Sequence, residues 1–364
     1  MTVFNINNTE WSTGQGSLFL GQEPALYDSV RVRYPELFSL YKLQKSIDWA
    51  EDEILLEQSR LDLLNCPANT YDIMLENIAF QWEADSVASR AIAPLFAPFV
   101  TNSEFWAAIL KNSEIEVLHA LTYSEIVRQC VADPNEVFKR VMHNDKVIRR
   151  LHTVAHIFNE LETAGAKYKL GMIGNDQPTY NIVFKALIAL YCLERLQFMS
   201  SFAATFAIVE QGYFQGIGKL VQKIMQDELG CHSEVDRAAL LIELKTERGQ
   251  TALHQCKDEI VTMIDEIVAC EFDWNRHLLG NGRAIVGLTI PLLDEWVLYN
   301  CGEMCYSWLP TQYNKYPRTK NPLRYMENWI DINKHQNAQQ EGDGNNYSLN
   351  VSVNDLTDDM MLDF

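Results

Sequence analysis

The feature that most constrains this chain is a long run of helical periodicity. From about Tyr27 to about Ile332, apolar residues recur at three- and four-residue spacing, with Leu, Ala, Glu and Lys abundant and glycine sparse. A strand cannot use such a pattern, because its two faces alternate at every second residue. Helices are expected over 34–47, 51–63, 69–93, 102–131, 135–163, 179–209, 215–247, 249–279 and 289–308. Pro94 should end or kink the helix before it, and Gly212, Gly216 and Gly218 loosen the join near 211–218. The sequence carries no sustained alternation, no glycine-rich phosphate loop and no fixed-period repeat. An all-α helical bundle follows, and 364 residues are enough to bury a sizeable shared core.

The two ends differ from this body. Residues 1–26 are polar with scattered glycine and read as an irregular leader; MTVFNINNTEWSTGQGS lacks the basic and apolar regions of a secretory signal. The body is expected over 27–332. Residues 333–364 are rich in Asn, Gln, Asp and Gly and cannot bury enough surface to offset their ordering entropy, so a flexible tail is expected. The tail closes on Met360, Met361, Leu362 and Phe364 among acids, either a docking peptide or a frayed end with chance hydrophobics. A net charge of −19 leaves no basic face for nucleic acid or an anionic membrane surface, and no apolar stretch is long enough to span a bilayer. Eight cysteines without a CxxC pair read as reduced thiols in a cytoplasm.

The chemistry lies in spaced acids and imidazoles. Glu116 and His119 are three apart and share one helix face. Carboxylate-bridged di-metal sites in helical bundles use two such Glu/His pairs plus one acid from each of two other helices. A lone pair of this kind is more often a solvated surface pair, so a second is needed. Residues 224–232, IMQDELGCH, supply Glu228 and His232, four apart rather than three but still on one face. Glu194, in ALYCLERLQF, has unusually apolar company for a glutamate that meets only water, and Asp85 lies among aromatics in AFQWEADSVASR. Asp85, Glu116, His119, Glu194, Glu228 and His232 thus run acid, Glu/His, acid, Glu/His over four candidate helices. Such a donor set suits iron or manganese. His143, His152, His156, His254, His277 and His335 have no place in this order.

The segment EVLHALTY resembles the glutamate–histidine–tyrosine segment of class I ribonucleotide reductase small subunits, within the ferritin-like di-iron carboxylate proteins. In that family a tyrosine four residues after the histidine bears a stable radical, and Tyr123 stands there. The family's phenylalanines, four and eight residues after the lone glutamate, match Phe198 and Phe202; its isoleucine before the second pair matches Ile224. Ordinary core packing would use these three residues equally well. Trp49 matches the family's upstream tryptophan, Asp227 the aspartate before the second pair, and Tyr347 the tyrosine of the tail. One departure stands out: the family has Glu-x-x-His where this chain has Glu228-x-x-x-His232. An inserted residue absorbed as a π-bulge accounts for it, whereas Cys231, three after Glu228, is a poor ligand beside activated oxygen because a thiolate would oxidise.

The resemblance implies a ferritin-like bundle holding two iron ions, with manganese/iron or two manganese ions as alternatives. The reduced centre would react with oxygen and oxidise Tyr123. The radical would pass through His119, Asp227, Trp49 and Tyr347 to a separate large subunit, docked through the tail, where ribonucleotides are reduced. A homodimer is implied as well. The residues themselves reach only a di-metal carboxylate bundle with a nearby tyrosine. A ferritin-like oxidase or oxygenase acting on a small molecule would use the same ligands, and a metal-storage protein would use them without Tyr123.

Overall fold

The computed structural model describes residues 17–22, 27–142 and 145–331. The expected tail, with Tyr347, Met361, Leu362 and Phe364, lies outside the described residues, as do most of the leader, His143 and His335. Among the described residues the chain is all-α: α1 (Pro35–Ser46), α2 (Glu57–Asn65), α3 (Ala68–Phe96), α4 (Ser103–Cys130), α5 (Asn135–Met142), α6 (Asp145–Lys169), α7 (Gln177–Cys192), α8 (Met199–Val209), α9 (Gln215–Asp227), α10 (Ser233–Glu243), α11 (Glu247–Leu278), α12 (Ile290–Tyr306) and α13 (Tyr325–Ile330). Two π-helical turns interrupt the pattern. Leu193–Gln197 joins α7 to α8, and Glu228–His232 joins α9 to α10.

Local chemistry sets several boundaries. Asn102 accepts a hydrogen bond from the Phe105 amide at the start of α4. Asp176 does the same for Thr179 at α7, and Thr246 for Gly249 at α11. Each satisfies one of the orphan donors of a helix N-terminus. Pro94 does not end α3, which runs on to Phe96. Ser113 of α4 accepts from the Ala93 amide immediately before the proline, so a neighbouring helix steadies the place where the ladder is weakened. The helix expected over 51–63 starts only at Glu57, because 51–56 form turns and loop.

The core runs through the middle of the sequence. Every residue of α8 is buried, as are residues 186–192 of α7. A helix apolar on all sides belongs at the centre of a bundle rather than on its surface. α3 packs along α4, α7 lies against α6, α10 and α11, α8 lies against α3, α9 and α12, and the two π turns touch each other. Residues 17–22 are not helical, and Leu18, Phe19 and Leu20 among them are buried. Phe19 forms an isolated bridge with Val100, and the Leu18 amide donates to the Glu243 carboxylate at 3.0 Å. Tyr180 donates to that same carboxylate.

Candidate metal centre

Four stretches of chain converge where the π turns meet. α3 contributes Asp85, α4 contributes Glu116 and His119 one turn apart, the first π turn contributes Glu194, and the second contributes Glu228 and His232. All six side chains are at most 1% exposed. Their ligand atoms fall into two groups that share Glu116: Asp85, Glu116 and His119 in one; Glu116, Glu194, Glu228 and His232 in the other. His119 Nδ1 lies 3.1 Å from Glu228, 3.7 Å from Glu116 and 4.0 Å from Asp85. His232 Nδ1 lies 3.0 Å from Glu116, 3.4 Å from Glu228 and 3.9 Å from Glu194.

The inward atoms do not satisfy one another. Both oxygens of Asp85, Glu116, Glu194 and Glu228, and Nδ1 of both histidines, lack a well-formed hydrogen bond despite being fully buried. Buried charge without partners is very costly unless a cation compensates it. Four oxygen donors and two nitrogens, converging in two groups with a shared carboxylate, fit a pair of hard-to-borderline metal ions. Burial, with Glu116 next, raises the Asp85 carboxyl well above the carboxylate range; burial, with Glu228 next, does the same to Glu194. Burial opposes the charged form of His232, but the Glu228 and Glu116 carboxylates outweigh it and lift its pKa to about 10.

The four-residue spacing of the second pair coincides with the π turn Glu228–His232. The extra residue widens the turn and keeps both ligands on the inner face. Cys231 joins neither ligand group, and burial pushes its thiol well above the usual range, away from the thiolate that binds metal.

Outward from His119 the geometry is equally specific. His119 Nε2 lies 3.1 Å from Asp227 Oδ2, and Trp49 Nε1 donates to that same oxygen at 2.8 Å. The Trp49 and His119 rings also face one another, with centroids 6.1 Å apart and planes 26° apart. Such a carboxylate fixes the tautomer of a metal-binding histidine. Tyr123 follows His119 by one turn of α4. It is fully buried and its hydroxyl has no partner among the described residues. Burial first, and then the Asp85, Glu228 and Glu116 carboxylates, hold its pKa well above 10. Phe198 and Phe202 are buried and stacked with centroids 5.9 Å apart, and Ile224 is fully buried one turn before Glu228.

The family model for the ribonucleotide reductase small chain matches residues 27–322. The chain belongs to this family. It is 24% identical to the ribonucleoside-diphosphate reductase subunit beta of Buchnera aphidicola subsp. Schizaphis graminum, over 95% of each chain. It is also 24% identical to that of Enterobacteria phage T4, over all of this chain and 98% of the relative. Among solved structures, the R2 subunit from Clostridium botulinum superposes with a TM-score of 0.77 at 20% identity, covering 91% of this chain and 99% of that one. The dimanganese(II) NrdF of Streptococcus sanguinis superposes at 0.63 with 14% identity, covering 84% and 97%. The ferritin-like bundle of the reductase small chains is therefore the fold of this chain.

Two features of the site are not among the residues that the sequence pattern singles out. Asp236 follows His232 by one helical turn, is fully buried, and has both oxygens unpartnered; His232 Nε2 is unpartnered too. Burial raises the Asp236 carboxyl well above its ordinary range. Arg150 and Glu271 form a buried ion pair behind the first π turn. Their signal was present: Glu271, in IVACEFDW, has the same apolar company that singles out Glu194.

Proposed function

We propose that this chain is the radical-generating subunit of a class I ribonucleoside-diphosphate reductase, with two iron ions held by Asp85, Glu116, His119, Glu194, Glu228 and His232. The observation that carries this reading is a buried phenol, Tyr123, one turn from a six-ligand centre. When bound, such a metal pair supplies electrons to dioxygen and the oxidising power to take an electron from a phenol. The residues of the chain set the rest. Burial, and then the acids around Tyr123, disfavour its phenolate, so its electron and proton leave together. Phe198, Phe202 and Ile224 exclude water from the core where the radical would persist. Trp49, Asp227 and His119 form one hydrogen-bonded line leading away from the centre, a route for an electron with a proton shared at Asp227.

The radical would pass to a large subunit through this line and Tyr347, with the tail docking through Leu362, Phe364 and Met361. A dimer of the chain has support in the surface of α4, where Leu110, Val117 and Leu121 are exposed on one side of the helix. No helix among the described residues is long and apolar enough to cross a membrane.

The test is reconstitution with ferrous iron and oxygen. A sharp absorption feature and an organic-radical resonance are expected, with manganese loading as the comparison arm. Tyr123→Phe should keep the metals and change stability by less than about 1.5 kcal/mol, because it conserves ring volume and removes only an unpartnered hydroxyl. The radical should vanish. A persistent tyrosyl signal in that variant would assign the radical to another tyrosine.

A further inference from the structure

The buried ion pair behind the centre has no part in the mechanism above. Arg150 of α6 and Glu271 of α11 are 1% and 0% exposed. The guanidinium grips the carboxylate through two nitrogens, Nε at 2.5 Å and Nη2 at 2.6 Å. Its face lies 3.8 Å from the ring centre of Phe80 and 4.6 Å from that of Trp274. The remaining donors point at one place. Nη2 donates to the backbone carbonyl of Gln197, the last residue of the first π turn, and Nη1 donates to Ser201 Oγ at 3.0 Å, one turn further on. Gln197 answers with its own side chain, donating to the Arg150 carbonyl at 2.6 Å.

Taking two charges out of water costs several kcal/mol per ion, and apolar residues of similar volume commonly serve stability as well or better. What a planar, five-donor guanidinium adds is geometry. One extra residue in a helix rotates everything after it by about 100°. The first π turn contains such a residue. If it relaxed to ordinary α-helix, Glu194 and the Phe198–Phe202 wall would no longer hold their present phase. Arg150 spans the exit of that turn, fixing Gln197 and Ser201 together. On its other side Phe80, against which the guanidinium lies, packs on Phe198 with centroids 5.8 Å apart.

We propose that the Arg150–Glu271 pair is a positioning element that locks the π turn Leu193–Gln197 and thereby holds Glu194 on the second metal ion. The inference rests on the metal-centre reading above. It predicts an asymmetry: the ion held by Asp85, Glu116 and His119 does not depend on the clamp, whereas the ion held by Glu194, Glu228 and His232 does.

The experiment measures binding of each ion to the full-length chain by chelator competition, alongside thermal unfolding. Two variants are compared with the unaltered protein. R150M/E271L replaces the pair with apolar groups. R150K keeps a charge for Glu271 but cannot hold it through two nitrogens while also reaching Gln197 and Ser201. In both, the ion held by Glu194, Glu228 and His232 should lose roughly 10- to 100-fold in affinity, the usual cost of removing a group that orients a ligand. The other ion should bind as before. If R150M/E271L does not fold, R150K alone decides. Unchanged affinity for both ions in a folded variant overturns the proposal, and so does an equal loss of both, which would mean general loosening. Failure of the unaltered chain to bind two ions would instead overturn the reading of the centre itself.

Discussion

In the turn Leu193–Gln197, only Glu194 faces the centre, and the neighbours hold the turn from outside. Arg150 reaches the Gln197 carbonyl, and Arg195 donates to Asn300 of α12 at 2.6 Å. In the turn Glu228–His232, two ligands face the centre, and outside support is sparse: Ser233 donates to the Leu229 carbonyl at 3.1 Å, and nothing stands within 4 Å of where a Cβ on Gly230 would be. The first turn is a fixed post. The second is held by what its ligands bind, so its shape and its metal are coupled.

The largest effects should come from the second turn. His232→Ala should remove one ion of the pair, while Cys231→Ser leaves loading intact, as metal analysis of the two purified variants would reveal. The opposite pattern would make the thiol the ligand. Stripping the metals should then separate the turns: amide hydrogen exchange should rise in 228–232 well beyond any rise in 193–197. Equal change in both would abolish the contrast between post and coupled turn.

A pH dependence sharpens the same contrast. In metal-stripped protein His232 has a folded-state pKa of about 10 against an ordinary 6.5. The folded state therefore binds more protons than the unfolded one across that interval. Stability from this group is full below about pH 6.5 and is lost as pH rises through about 10. Glu194 is raised too, so its contribution also falls with rising pH, but from the lower onset of 4.5. The unfolding temperature of stripped protein should decline from pH 6.5 to 10, and His232→Ala should lessen that decline, His119, whose pKa is raised against its burial by Asp227 and Glu116, keeping its own share. A decline of the same size in the variant would assign the titration elsewhere. The smallest effect is expected from Gly230→Ala. The site is open and alanine is the better helix former, so stability should rise by roughly 0.5–1 kcal/mol with both ions still bound. Loss of an ion would mean that the turn needs glycine's freedom.

The contrast also explains what could be read from the chain. The second turn was visible because two ligands straddle its extra residue, so Glu228-x-x-x-His232 betrays the insertion. The first was invisible: a single ligand has no spacing to disturb, and 179–209 reads as one continuous helix. The six inward acids and imidazoles were legible from order and spacing. Asp227 and Trp49 were legible only through the family resemblance, since they lie 178 residues apart. Arg150 resembles any basic residue on an amphipathic helix, because its partner Glu271 is 121 residues away. Leu18, Phe19 and Leu20 were assigned to the leader on polar neighbours, although three successive apolar residues were themselves a signal of burial.

Leu18 and Glu243 stand 225 residues apart in the chain and share a buried hydrogen bond. A ribosome adding about 5–20 residues per second needs roughly ten to fifty seconds to travel that distance. The Leu18–Phe19–Leu20 triplet is therefore made long before the carboxylate that receives the Leu18 amide. During that interval three adjacent apolar side chains wait uncovered on the nascent chain, an attractive grip for a chaperone and a ready seed for aggregation.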